Sequence, residues 1–269
     1  TIEDYIARHC RKPIHIGDIE YDHETLEFIK WREDPRGPMR LWMHLERDGR
    51  PVLHGIEIGC DVSAGTGASN SAMSGIRRVS LEKVLEYANP HIRPEAFGRY
   101  AVAVANWLGG PKVVWEQNGP GRQFGDALLE AGYRHVYYRI DEEKVSKLMS
   151  DKPGWAPTKS NKLALLGEYR RALELETLIN PSELSLRDAL EYVYMPTGTI
   201  EHSKSQNTYD PTGARSNHGD RVIADALAWK IAKDRPRERV SIAPKIPAGC
   251  FHWRRKNATR GRERQTAWN

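Results

Sequence analysis

His54-Gly-Ile-Glu-Ile-Gly-Cys-Asp61 is an alternating apolar run that ends on a carboxylate and gives way to the small-residue turn Ser63-Ala-Gly-Thr-Gly-Ala-Ser-Asn70. Alternation with period two marks a strand, and turn residues bound it. Outward from it, the pattern predicts a second strand around Ala72 to Arg78 and a third around Val84 to Ala88. Phe97, Tyr100, Ala101, Val104, Trp107 and Leu108 then recur at helical spacing after Pro94 and stop at Gly109-Gly110. A strand Lys112-Val-Val-Trp-Glu116 follows, then a helix from Pro120 or Gly121 closed by Gly132, and a strand from Arg134 to Ile140. Further helices fit Asn161 to Leu175, Ser182 to Val193 and about Asp220 to Lys233. A meander of strands followed by strand–helix alternation predicts an α/β fold, a mixed sheet covered by helices.

Residues 1 to 52 show weak periodicity, broken by Pro13, Asp34-Pro-Arg-Gly-Pro38 and Asp48-Gly-Arg-Pro51, and read as a lead-in or linker with two short strands. The expected division is therefore a linker over 1–52, a folded domain over 53–235 and a basic tail over 236–269. At 269 residues and 39% hydrophobic content the chain can bury a real core. No apolar run reaches the ~18 residues of a membrane span, and Thr-Ile-Glu-Asp-Tyr does not open a signal peptide, so a soluble, intracellular protein is expected. Cys10, Cys60 and Cys250 lack the spacing of a zinc site and the even number of a disulfide framework.

Charge is distributed unevenly. The net charge is +5, yet the segment from Arg235 onward holds ten Lys/Arg against two Asp/Glu, which leaves the preceding residues net acidic. Arg254, Arg255, Lys256, Arg260, Arg262 and Arg264 cluster near Phe251, Trp253 and Trp268. Such a segment is either a solvated end or a source of contacts to a nucleic-acid backbone.

Three carboxylates stand where local elements could deliver them to one point: Asp61 and Glu116 at strand ends, Asp220 at a helix start. Each alone has an ordinary explanation, as a turn residue, a surface ion-pair partner or a helix-dipole complement. Together they suit hard divalent cations, which prefer oxygen ligands. Two ions about 4 Å apart, bridged by a shared carboxylate, activate water and stabilise a leaving oxygen, the chemistry of phosphodiester hydrolysis. Asp225 competes with Asp220, but five residues at about 100° each put it about 140° around the helix. Asp220 shares its stripe with Ile223, Ala224, Leu227 and Ile231 and is the better ligand, with Asp225 toward the flank. His218, two residues before Asp220, could ligate, orient a phosphate or shuttle a proton, although a lone loop histidine is more often polar surface. No GxxxxGK[ST] phosphate loop occurs, which argues against nucleotide hydrolysis by this chain.

The segments Ile56-Glu-Ile-Gly-Cys-Asp-Val-Ser-Ala-Gly-Thr-Gly67, Val113-Val-Trp-Glu-Gln-Asn-Gly-Pro-Gly121 and Asn217-His-Gly-Asp-Arg-Val-Ile-Ala-Asp-Ala-Leu-Ala-Trp229 resemble, in order and spacing, the C-terminal nuclease domain of large terminase subunits from tailed bacteriophages. The resemblance implies a ribonuclease H-like fold and an Mg²⁺- or Mn²⁺-dependent endonuclease that cuts concatemeric double-stranded DNA during packaging. Asp61, Glu116 and Asp220 match the family's acidic triad. Many relatives carry His-Asp-Asp at the third motif; His218-Gly219-Asp220 leaves open whether a fourth acid is missing or Asp225 substitutes. The implied partners are the terminase ATPase domain, the portal and the small terminase subunit, in the host cell cytoplasm, with this chain an excised nuclease domain and part of its linker. Two readings compete: a ribonuclease H-like Holliday-junction resolvase, and a non-catalytic module that docks DNA or a portal.

Overall fold

The structure, a computed structural model, describes residues 2–52, 54–140, 149–194, 200–202 and 219–234. Helix α1 (Ile2–His9) leads into strands β1 (His15–Tyr21), β2 (Phe28–Glu33) and β3 (Met39–Leu41). The predicted meander is β4 (Ile56–Asp61), β5 (Ser71–Arg77) and β6 (Glu82–Asn89), followed by α2 (Pro94–Trp107), β7 (Val113–Trp115) and α3 (Pro120–Glu130). Beyond them come the pair β8 (Tyr138–Ile140) and β9 (Met149–Pro153), helices α4 (Lys159–Glu174) and α5 (Glu183–Leu190), the pair β10 (Tyr192–Tyr194) and β11 (Ile200–His202), and helix α6 (Asp220–Lys233). Among the described residues no helix is long and apolar enough to cross a membrane.

Seven strands form one ribonuclease H-like mixed sheet in the order β2-β1-β3-β6-β5-β4-β7, antiparallel throughout except for the parallel pair β4–β7. Three of the seven come from the segment expected to be a linker. β3 pairs with β6 through Met39↔Tyr87 and Leu41↔Leu85, and Thr1–Pro236 is one compact unit, so residues 1–52 are part of the domain. The strand expected over Arg134 to Ile140 is also shorter than its pattern: Val136 makes a single parallel bridge to Val113, and the chain then turns into the separate β8–β9 pair.

The alternation in β4 sorts its side chains between two cores. Ile56, Ile58 and Cys60 join Phe97, Tyr100, Val104 and Phe124 on the α2–α3 face. Phe124, fully enclosed beside the equally buried Trp115, contributes about 1.5–3 kcal/mol by leaving water. The other face packs against α6 and is built for close approach. A Cβ on Gly59 would collide with the carbonyl of Ala224 and the amide of Ala228, so only glycine lets the α6 backbone lie directly on the strand. Ala224, Ala226, Ala228 and Ala232 make α6 narrow enough to stay there.

A β-bulge in β6 produces the second core's polar centre. Gly75 pairs with Leu85 and Ile76 with Lys83, so Val84 is the extra residue, and Lys83 and Glu86 both emerge toward α6. Both are 1% exposed, and the Lys83 ammonium lies 2.7 Å from Glu86 Oε2 and 2.8 Å from Asp225 Oδ1.

Candidate active site

Asp61 and Glu116 are neighbours because β4 and β7 run parallel in register. Cys60 pairs with Trp115, and the Glu116 amide donates to the Cys60 carbonyl at 3.3 Å. Since Cys60 and Trp115 point into the α2–α3 core, the next residue on each strand faces the other way, toward α6. The turn Asn118-Gly-Pro-Gly121 then carries the chain into α3, with Gly119 at φ 46° before Pro120.

Asp220 arrives from the opposite direction, as the first residue of α6. Gly219 holds φ 78° and ψ 21°, a left-handed conformation that costs an L side chain about 1–2 kcal/mol, and no side chain caps the helix. The Asp220 carboxylate sits in the first turn, where the helix dipole favours negative charge, and its Oδ2 accepts the Asn70 amide at 2.7 Å. Asn70 ends the small-residue turn after β4, so that turn ties the first acidic segment to the third. Arg221, the next residue, is clamped between Glu86 Oε1 at 3.3 Å and Asp188 Oδ2 at 3.1 Å, which fixes the first turn of α6 against β6 and α5.

Asp61 feels the other two carboxylates. Burial, then the charges of Asp220 and Glu116, push the Asp61 carboxyl well above the usual carboxylate range. Burial raises Glu116 as well. Lys162 opposes both shifts; it lies in the first turn of α4, whose start is fixed by a capping box in which Thr158 and Asn161 exchange side-chain-to-backbone bonds. Tyr192 completes the surroundings: burial and the carboxylates of Asp61, Asp220 and Glu116 hold its phenol protonated far above its ordinary range. Its hydroxyl donates to the Gly219 carbonyl at 3.1 Å. Lys162 and Tyr192 carry no signal of a site role of their own in the sequence, where each falls within a predicted helix; α5 in fact ends at Leu190, and Tyr192 begins strand β10.

Asp225 lies elsewhere. Its Oδ2 accepts from Asn180 Nδ2 at 2.9 Å, Tyr169 at 3.2 Å, Lys83 at 3.0 Å and the Ser185 hydroxyl, joining α4, α5, α6 and β6 at one buried point. Tyr5 of α1 adds to this hub by accepting the Asn180 amide at 2.8 Å and donating to the Leu178 carbonyl at 2.7 Å. His218 and the basic residues Arg254, Arg255, Lys256, Arg260, Arg262 and Arg264 lie outside the described residues.

Among the described residues no three His, Cys, Asp or Glu side chains are gathered tightly enough to form a ready-made metal cage. The donor set nevertheless fits divalent cations in chemical terms. Three carboxylates, which offer oxygen donors and negative charge, are the donor type that hard divalent cations prefer.

No protein-family model matches the sequence, and no curated protein does. Solved structures do match. The large terminase nuclease from thermophilic phage G20c with bound magnesium is 14% identical, with a TM-score of 0.53 over 80% of this chain and 97% of that one. The same nuclease with bound cobalt gives the same values. The large terminase nuclease domain of Thermus phage P74-26 is 14% identical, with a TM-score of 0.52 over 85% of this chain and 94% of that one. The chain thus shares the fold of large terminase nucleases nearly from end to end of those domains.

Proposed function

We propose that this chain is the nuclease domain of a terminase large subunit, a metal-dependent endonuclease that cuts concatemeric double-stranded viral DNA during genome packaging. One arrangement supports the reading: Asp61 and Glu116 end neighbouring parallel strands, Asp220 opens the helix packed across β4, and the charges of Asp220 and Glu116 act on the buried Asp61 carboxyl. Buried like charges are costly to retain without a counter-ion, and a sheet edge that concentrates them is a place for cations. The three acids would hold Mg²⁺ or Mn²⁺ as a two-ion site, and ions bound there would supply an activated water and charge neutralisation for phosphodiester hydrolysis.

The chain's own groups do the positioning. The Asn70 amide bonds one oxygen of Asp220, and the Arg221 ion pairs tie the first turn of α6 to β6 and α5. Lys162 supplies positive charge beside Asp61 and Glu116, where a scissile phosphate would come. The bound metals of the structural relatives and the shared fold support the reading. On it, the partners are duplex DNA, the terminase ATPase domain, the portal and the small terminase subunit, in the cytoplasm of an infected cell.

The test is nicking of supercoiled plasmid with Mg²⁺ or Mn²⁺, beside a branched four-way duplex. Wild type should cut plasmid and show no preference for the junction; Asp61→Asn, Glu116→Gln and Asp220→Asn should fall to background with unchanged circular dichroism. Wild-type cutting by both Asp variants would overturn the reading, and a strong junction preference would turn it to a resolvase.

A further inference from the structure

Gly219 lies beside an aromatic ring. A Cβ at position 219 would overlap Cε2 of Tyr192 and stand 2.7 Å from its hydroxyl oxygen and 2.9 Å from Cζ. The same hydroxyl bonds the Gly219 carbonyl at 3.1 Å, and that carbonyl also accepts the Val222 amide at 2.9 Å, the first turn of α6. The ring therefore fills the space a side chain would need, while the hydroxyl holds the peptide from which the helix starts. Tyr192 is itself held, standing one residue beyond Glu191, the C-cap of α5, and pairing along the backbone with His202 across β10–β11.

We propose that Tyr192 is a positioning residue for the carboxylate of Asp220: it clamps Gly219 in the left-handed conformation that aims the first residue of α6 toward Asp61 and Glu116. The proposal rests on the nuclease reading for its consequence, but the contact itself is a property of the fold. With the hydroxyl gone, the peptide before Asp220 loses one of its anchors, and the carboxylate samples orientations that no longer converge with the other two. Geometry at a metal or catalytic centre is sensitive to such slack, and loss of one supporting bond commonly costs about 10–100-fold in affinity or activity.

The experiment compares Tyr192→Phe, Tyr192→Ala, Gly219→Ala and the double variant Tyr192→Ala/Gly219→Ala. Mn²⁺ affinity is read by calorimetry on the full chain, plasmid nicking by rate, duplex affinity by anisotropy, and stability by urea midpoint. Tyr192→Phe should weaken Mn²⁺ binding and slow nicking about 10-fold, with duplex affinity and the circular dichroism spectrum unchanged. Gly219→Ala should be severe with the ring present and much milder in the Tyr192→Ala background, where only the left-handed strain remains. Wild-type Mn²⁺ affinity and nicking in Tyr192→Phe would overturn the proposal. So would additive effects of the two Ala substitutions. Should wild type itself neither bind Mn²⁺ nor nick, the nuclease reading falls, and the urea midpoints of the four chains still decide whether Tyr192 clamps Gly219.

Discussion

Asp61 keeps its proton to higher pH in the folded, chelator-treated protein than in the unfolded chain, because burial and the charges of Asp220 and Glu116 oppose ionisation. A carboxyl raised in this way stabilises the fold below its unfolded value of about 3.9 and loses that contribution as pH rises through the folded value. Asp61→Asn, neutral at every pH, should therefore raise the melting temperature of chelator-treated protein at pH 7 while abolishing nicking. About 1 kcal/mol moves the midpoint of a domain this size by about 2–4 °C. A lower midpoint for Asp61→Asn across pH 5 to 8 would show that the carboxylate is held by bonds that outweigh the repulsion. Glu86 behaves in the opposite sense: burial alone would raise it, but Lys83 and Arg221 outweigh burial and bring it down to about 2. Its contribution is complete above the unfolded value and disappears as pH falls toward 2, so Glu86→Gln should flatten acid unfolding between about pH 4.3 and 2. The three candidate ligands were legible in the sequence because a carboxylate at a strand end or helix start stands out against an apolar run. Lys83 was not legible: a lysine in a strand reads as solvent-facing, and only the bulge at Val84 turns it inward.

Helix α6 is the element on which the proposed site depends, and beyond its first turn two contacts hold it. Its backbone lies on Gly59, and Asp225 anchors it to Lys83. Gly59→Val should push the helix off β4, costing about 1–3 kcal/mol as overpacking does, and should weaken Mn²⁺ binding with it; an unchanged urea midpoint would contradict the close approach. Asp225→Ala leaves a buried ammonium short of a partner, and breaking a buried pair costs about 3–5 kcal/mol. The expected result is a large drop in urea midpoint, with nicking retained under conditions where the variant is folded. Loss of nicking at an unchanged midpoint would instead place Asp225 among the ligands. The helix read over about Asp220 to Lys233 matches α6 because fourteen residues without a Gly or Pro follow Gly219, although α6 is buried on nearly every side and so has no single apolar stripe. The three-residue strands β3, β10 and β11 are too short to show any alternation, and most of β2 is exposed, so their places could come only from pairing.

At the scale of the whole molecule, residues 15–41 extend the sheet beyond β6. Removing residues 1–52 should expose the β6 edge and the second core beneath α1, giving aggregated material on size exclusion rather than a trimmed nuclease. The basic segment after Pro236 poses a separate question. A nest of carboxylates repels DNA, so if that segment supplies duplex affinity, cutting there should weaken binding for all sequences alike and reduce the salt slope by about 0.9 for each phosphate it no longer neutralises. Superimposable salt titrations would assign the segment to docking instead. The order of the three acids along the chain has its own consequence. During synthesis Asp61 and Glu116 emerge on strands that can pair early, but the third carboxylate belongs to the last described helix, which must pack across β4 after everything between has been made. A partly translated chain therefore lacks the third candidate ligand, and a ribosome stalled before position 220 would release a fragment without the complete acidic set. The sequence order thus ties the proposed DNA-cutting centre to the near-completion of its own domain.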